Sequence, residues 1–234
     1  MTTSQRPAII TARHLAKHYG QTYALTGVDL DIGHGESLAI MGPSGSGKTT
    51  LLHCLAGIIR PDQGEIRLNA TDRTSAVDIT SLKDSGRTAL RREVFGFVFQ
   101  QGLLLPELTA VDNVALAAML AGMTRAQATQ HADAWLQRLG LADHLDKRIG
   151  QLSGGQAQRV AIARALIGPR KVLLADEPTG ALDTSTAEEI MKVLRARIDA
   201  GASGILVTHE PRFAGWADRV VMVRDGRLTG EEVR

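Results

Sequence analysis

Three things are scarce in this sequence of 234 residues: cysteine, net charge and long apolar runs. Each scarcity closes off a class of protein. The single cysteine, Cys54, cannot form an internal disulfide, which points away from a disulfide-stapled secreted fold and towards a reducing compartment. Its simplest role is a small core residue. Lys and Arg number 27 against 25 Asp and Glu, a formal charge of +2, and no basic run is long enough to act as a nucleic-acid arm. The longest apolar run, at 114–123, covers ten residues, about half of the roughly 20 that a bilayer-spanning helix needs. No direct membrane span is therefore expected. The opening MTTSQRPAII lacks the apolar core of a secretory signal, so a cytoplasmic location is expected. What the chain does have is 44% apolar residues, enough to exclude a wholly disordered protein, and 24 glycines.

Short apolar runs alternate with helical spacing along most of the chain. Residues 37–41, 172–175 and 204–208 read as buried strands, and 94–100 as a further strand. Helical spacing appears at 48–57, in a polar stretch near 85–92, and at 187–200. The expectation is an α/β fold, a mostly parallel sheet with helices on both faces. The segments at 8–15, 24–32 and 65–69 alternate apolar and polar residues, as a small antiparallel β layer would. A block at 101–168, rich in Ala, Leu and Gln and with Thr109 and Thr124 as N-caps, reads as an inserted helical subdomain. The expected division of one nucleotide-binding domain is 1–35 with 61–92 for the β layer, 36–60 with 93–100 and 169–234 for the core, and 101–168 for the helices.

The glycines concentrate where chemistry is expected. The segment GPSGSGKT at 42–49 matches G-x-x-x-x-G-K-[ST] and lies between a buried strand and a helix, the context of a P-loop NTPase core. Its glycines allow a tight turn whose N–H groups face one centre, an anion nest at a helix N-terminus. Candidate nucleotide contacts are Gly42, Pro43, Ser44, Gly45, Ser46, Gly47, Lys48, Thr49 and Thr50. Lys48 supplies a point charge for the β- and γ-phosphates, and Thr49 a hydroxyl for Mg²⁺. A phosphate loop needs an acidic partner. Asp176 and Glu177 stand together at the C-terminal end of a buried strand, where ligands of open α/β sheets bind. Asp176 is expected in the Mg²⁺ shell, and Glu177 to orient or deprotonate the attacking water.

A second glycine pair opens another helix. Leu152-Ser-Gly-Gly-Gln156 is followed by Arg159-Val-Ala-Ile-Ala-Arg164. Ser153, Gly154 and Gly155 at a helix N-terminus make a second anion site, far in sequence from the first. Two phosphate-binding elements with one set of metal ligands suggest that two chains share each nucleotide. This segment, with Gln156 as its last residue, resembles the signature of the ATP-binding cassette ATPases, the motor subunits of ABC transporters. The resemblance implies a head-to-tail homodimer, or a pair of cassettes, sandwiching two ATP molecules between the phosphate loop of one subunit and the signature of the other.

Matched to that family one position at a time, further residues acquire implied roles. Tyr19, one of two tyrosines, falls where the family stacks an aromatic ring on adenine. Gln100, with Gln101 as the rival assignment, resembles the glutamine that touches Mg²⁺ and reports the γ-phosphate to the helical subdomain. Asp183 lies in a loop resembling the one that reaches across the dimer. His209 resembles the histidine that contacts the γ-phosphate. The stretches at 104–114, 79–92 and 176–183 resemble the macrolide-efflux, lipoprotein-release and cell-division branch. Ala157 and Ile149 depart from common family residues without removing a catalytic group. Leu116, Met119, Leu120 and Met123 are expected to line the core or groove of the helical subdomain, where the family docks the membrane subunit's cytoplasmic helix. Arg87, Arg91 and Arg92 read first as a solvated face, with acidic lipid or a partner as the alternative.

The reading is an ATP hydrolase that powers a separate integral-membrane permease, held on the inner face of the membrane through that permease. A second reading is a mechanical regulator that flexes a membrane partner to control an extracellular enzyme. A third is a soluble cassette of DNA repair or translation. It would bring a long coiled-coil insertion or a second cassette, and this sequence has neither.

Overall fold

The first two strands are long because their apolar residues alternate over many positions. β1 (Ala8–Tyr19) buries Ile10, Ala12 and Leu15, and β2 (Thr22–Gly33) buries Leu25, Val28, Leu30 and Ile32. The structure is a computed structural model that describes residues 6–70, 75–100 and 102–233. Among these, β3 (Ser37–Met41), α1 (Lys48–Leu55), β4 (Gln63–Leu68), β5 (Val77–Asp78) and α2 (Asp84–Glu93) come next. They are followed by β6 (Phe95–Val98), α3 (Ala110–Leu120), α4 (Arg125–Arg138), α5 (Gly154–Leu166), β7 (Val172–Asp176) and α6 (Thr184–Asp199). The chain closes with β8 (Ser203–Val207), α7 (Pro211–Ala214), β9 (Arg219–Arg224) and β10 (Arg227–Val233). It clusters into two units, Met1–Arg91 with Arg195–Arg234, and Arg92–Leu194.

The first unit holds a small antiparallel sheet in the order β2-β1-β4-β5. In its second set of strands, β3 runs parallel to both β8 and β9, and β10 pairs antiparallel with β9. Every residue of β8 is buried, as are the first four of β3, which is why both read as unbroken apolar runs. Cys54 is a core residue of α1; burial pushes its thiol up to about 12, so it is inert at neutral pH. The basic side chains near α2 are spent on the chain itself. Arg91 donates to the Gly57 carbonyl at 2.7 Å beyond the end of α1, and Arg87 pairs with Asp84.

The second unit pairs β6 and β7 in parallel and packs α3, α4 and α5 together. Thr109 caps α3 by accepting from the Asp112 N–H at 3.1 Å, and Thr124 caps α4 in a reciprocal capping box with Gln127. Gly96 lets α5 lie directly on β6, since a Cβ there would stand 2.2 Å from the Ala165 carbonyl oxygen. The apolar stripe of α3 is Val114, Ala115 and Ala118. Met119 and Leu120, expected in the core or groove of the helical subdomain, are exposed and so lie outside its core; Leu120 is on the side of the helix away from that stripe. The structure also adds β5 and α7, two short elements that no apolar period marks.

Candidate nucleotide site

In the first unit, Ile40 of β3 lies beside Val207 of β8, so the two parallel strands end together. The loop at 42–49 leaves one strand end and Thr208-His209 the other, which brings His209 to the same sheet edge as the phosphate loop. The loop's shape depends on its glycines. A Cβ on Gly42 (φ 148°) would stand 2.1 Å from the Val223 carbonyl oxygen, and one on Gly47 (φ 104°) 2.2 Å from that of Ala24. Gly47 is also the N-cap of α1 and offers no capping side chain, so the first amides of the helix are not satisfied by a cap. Lys48 folds back over its own loop, its Nζ donating to the Gly42 carbonyl at 2.9 Å and to that of Pro43 at 2.8 Å. The Ser46 hydroxyl is buried and has no hydrogen-bond partner among the described residues. Thr49 is exposed and Thr50 half-buried, while Pro43, Ser44 and Gly45 form the open rim.

Tyr19 ends β1 with half its surface exposed. The Lys17 ammonium lies 5.6 Å from its ring centroid and is anchored by Asp62 at 2.9 Å. The His18 N–H and the Lys17 side chain hold the Asp62 carboxyl below its ordinary range.

In the second unit the strand register does the positioning. Val98 of β6 faces Ala175 of β7, so Gln100 and Glu177, each two residues further, emerge side by side. The Gln100 carboxamide donates to the Glu177 carboxylate at 3.4 Å. Asp176, the last residue of β7, is 3% exposed. Glu177 takes a left-handed φ of 45°, rare outside glycine, which turns its side chain out of the strand direction. Gln101, the rival to Gln100, lies outside the described residues. Ser153 caps α5 in a reciprocal box with Gln156, whose carboxamide accepts from the Ser153 N–H at 2.9 Å. The same carboxamide meets the His144 ring at 2.9 Å. Gly154 and Gly155 head the helix; a Cβ on Gly154 would meet nothing within 4 Å, and one on Gly155 would stand 3.3 Å from the Ala181 carbonyl oxygen. Asp183 precedes α6 and accepts from both the N–H and the hydroxyl of Thr186; those bonds hold its carboxyl below its ordinary range.

Two further residues of this unit were assigned no role from the sequence: Gln158, and Arg164 at the end of the stretch that follows the signature. Gln158, 4% exposed, donates to the Pro178 carbonyl at 3.1 Å, and Arg164 donates to the carbonyls of Gly102 and Leu103 at 2.6 and 2.7 Å. A polar Gln158 on the buried face of an otherwise apolar helix was the available signal.

The sequence model of the ABC transporter family matches residues 25–180. The chain is 44% identical over 232 residues to the lipoprotein-releasing system ATP-binding protein LolD of Syntrophotalea carbinolica, covering 97% of this chain and all of that protein. It is 43% identical over 238 residues to the macrolide export ATP-binding/permease protein MacB of Nitrosomonas europaea, of which it spans 35%. Among solved structures, the dimeric ATP-binding cassette MJ0796 in a post-hydrolysis state with ADP and Pi matches with a TM-score of 0.89 and 37% identity. That match covers 96% of this chain and 98% of the cassette.

Proposed function

Since this chain belongs to the ABC transporter family of ATP-binding, ATP-hydrolysing cassettes, we propose that it is the motor of a permease in the macrolide-export and lipoprotein-release branch, driving it by ATP-dependent dimer closure. The observation that carries the reading is the phosphate loop: two glycines at positions closed to any side chain, with the Lys48 ammonium held over the loop by hydrogen bonds to its own carbonyls. Some MacB relatives carry their permease in the same chain, and this chain spans about a third of their length. Among its described residues no helix is long and apolar enough to cross a membrane. The partner in this reading is an integral-membrane permease.

Each side chain then has a chemical task. Tyr19 stacks on adenine. Lys48 and the loop amides cradle the β- and γ-phosphates, and His209 donates to the γ-phosphate, so negative charge that grows during phosphoryl transfer meets preorganised donors. Glu177 accepts a proton from the attacking water and fixes its direction, and the products are ADP and inorganic phosphate. Thr49, Gln100 and Asp176 offer a hydroxyl, a carboxamide and a carboxylate, all hard oxygen donors that fit Mg²⁺. Among the described residues no cluster of three His, Cys, Asp or Glu forms an all-protein cage, which suits an ion shared with phosphates and water. Mg²⁺ held by Thr49, Gln100 and Asp176 would supply positive charge to offset that of the phosphates. The Ser153 hydroxyl, the amides of Gly154 and Gly155, and Gln156 serve the nucleotide of the facing subunit, and the segment ending at Asp183 reaches across the dimer.

The test is Glu177→Gln. Removing the base is expected to lower ATP turnover by about 100- to 10,000-fold, to leave ATP affinity intact, and to trap a dimer visible by light scattering in ATP. Hydrolysis at the wild-type rate would overturn the assignment.

A further inference from the structure

The register of β6 and β7 brings the backbones of Gln100 and Glu177 side by side, but it does not aim their side chains. Both chains leave the sheet through left-handed residues: Glu177 at φ 45°, and Gly102 and Leu103 at 68° and 45°. Glycine alone adopts such values without cost, so Glu177 and Leu103 need outside partners to stay there. Helix α5 supplies both. Gln158, buried to 4% exposure, donates from Nε2 to the carbonyl of Pro178, the residue after Glu177. Pro178 has no N–H of its own, so this carbonyl is the polar handle of the turn. Six residues along the same helix, Arg164 forks onto the carbonyls of Gly102 and Leu103. The two grips approach one another, since a Cβ on Gly102 would lie 3.8 Å from the Gln158 carboxamide oxygen and 3.6 Å from Ala161.

We propose that Gln158 and Arg164 are positioning residues, which hold the turn after Asp176 and the loop after Gln100 in one register so that the Glu177 carboxylate and the Gln100 carboxamide are presented together. The proposal rests on the reading of Glu177 as the base, and neither residue touches the nucleotide. It also joins two functions on one helix. The N-terminus of α5 is the signature, and Gln158 lies four residues past Gly154, the helix's first residue. A push on that N-terminus therefore moves the handle on Glu177.

The experiment is steady-state and single-turnover hydrolysis of Mg-ATP by the full chain, with Gln158→Met, Arg164→Met and Arg164→Lys, each alone and in the Glu177→Gln background. Misplacing a base by about an ångström costs up to about 100-fold. Gln158→Met and Arg164→Met are expected to lower kcat by 10- to 100-fold while KM for ATP stays within twofold, and Arg164→Lys is expected to recover part of the loss. If Gln158 acts through Glu177, Gln158→Met costs no more than a further twofold once Glu177 is Gln. Multiplying losses in the double variant, or wild-type kcat in both Met variants, would overturn the proposal. A lowered melting temperature with raised KM and unchanged kcat would likewise mark the contacts as structural. Should Arg164→Met not fold, Arg164→Lys carries the test, since an ammonium keeps the charge but cannot fork to two carbonyls. If Glu177→Gln alone keeps full turnover, the reading of Glu177 fails before the positioning claim is reached.

Discussion

Arg219→Met is expected to cost the first unit about 3–5 kcal/mol, because it strands a buried carboxylate. Arg219 opens β9 and donates to Glu36 at 2.5 Å, to Glu231 at 2.9 Å and to the Asp31 carbonyl. The Arg219 and Glu36 side chains are 10% and 4% exposed, so solvent screens the pair little. Burial alone would lower the guanidinium's pKa; Glu36, with Glu231, outweighs burial and holds it above its ordinary value. Without the cation, Glu36 keeps the Gly33 N–H as a partner but loses its counter-charge. A domain of this size loses about 2–4 °C of melting temperature per kcal/mol, so the drop is roughly 6–20 °C. The deficit against wild type is read in thermal melts followed by circular dichroism. Glu36→Leu with Arg219→Met, which removes both charges, should recover most of the loss. A single-variant deficit below about 1 kcal/mol would refute the argument.

Two further outcomes follow from contacts of the same unit. Gly42→Ala puts a methyl 2.1 Å from the Val223 carbonyl oxygen at a φ of 148°, so a fluorescent ATP analogue should bind at least about tenfold more weakly, with stability lowered by about 1–3 kcal/mol. Asp218 is pushed up by burial, yet Arg195, the Ser37 N–H and Arg6 hold its carboxyl below the usual range. Its contribution is therefore present above a pH of about 4 and lost as pH falls through the depressed value. Asp218→Asn should flatten the acid limb of a urea-denaturation series, and an unchanged limb would assign acid sensitivity to other carboxyls.

How much of this was legible from residues alone depended on what made each conformation possible. The phosphate loop announced itself because backbone from elsewhere closes within 2.2 Å of where a Cβ would sit on Gly42 and Gly47, so only glycine fits and the requirement is written in the chain. The N-caps Thr109 and Thr124 were readable for the same reason, since a capping bond is local. The strand of 94–100 shortened to Phe95–Val98 because Phe99 and Gln100 stay beyond the ladder despite the apolar run. Exposure of Met119 and Leu120 is a matter of which side of α3 the other helices cover, and one helix's sequence does not state that. Glu177 and Leu103 lie at the other extreme. They adopt the left-handed backbone that glycine normally supplies, at a cost of about 1–3 kcal/mol each, and the bonds that support it come from Gln158 and Arg164. A glycine at position 177 would adopt the turn freely but carry no carboxylate. A side chain that must react from a strained backbone has to be held by another element, so the support for such a residue can be found only once the fold is known.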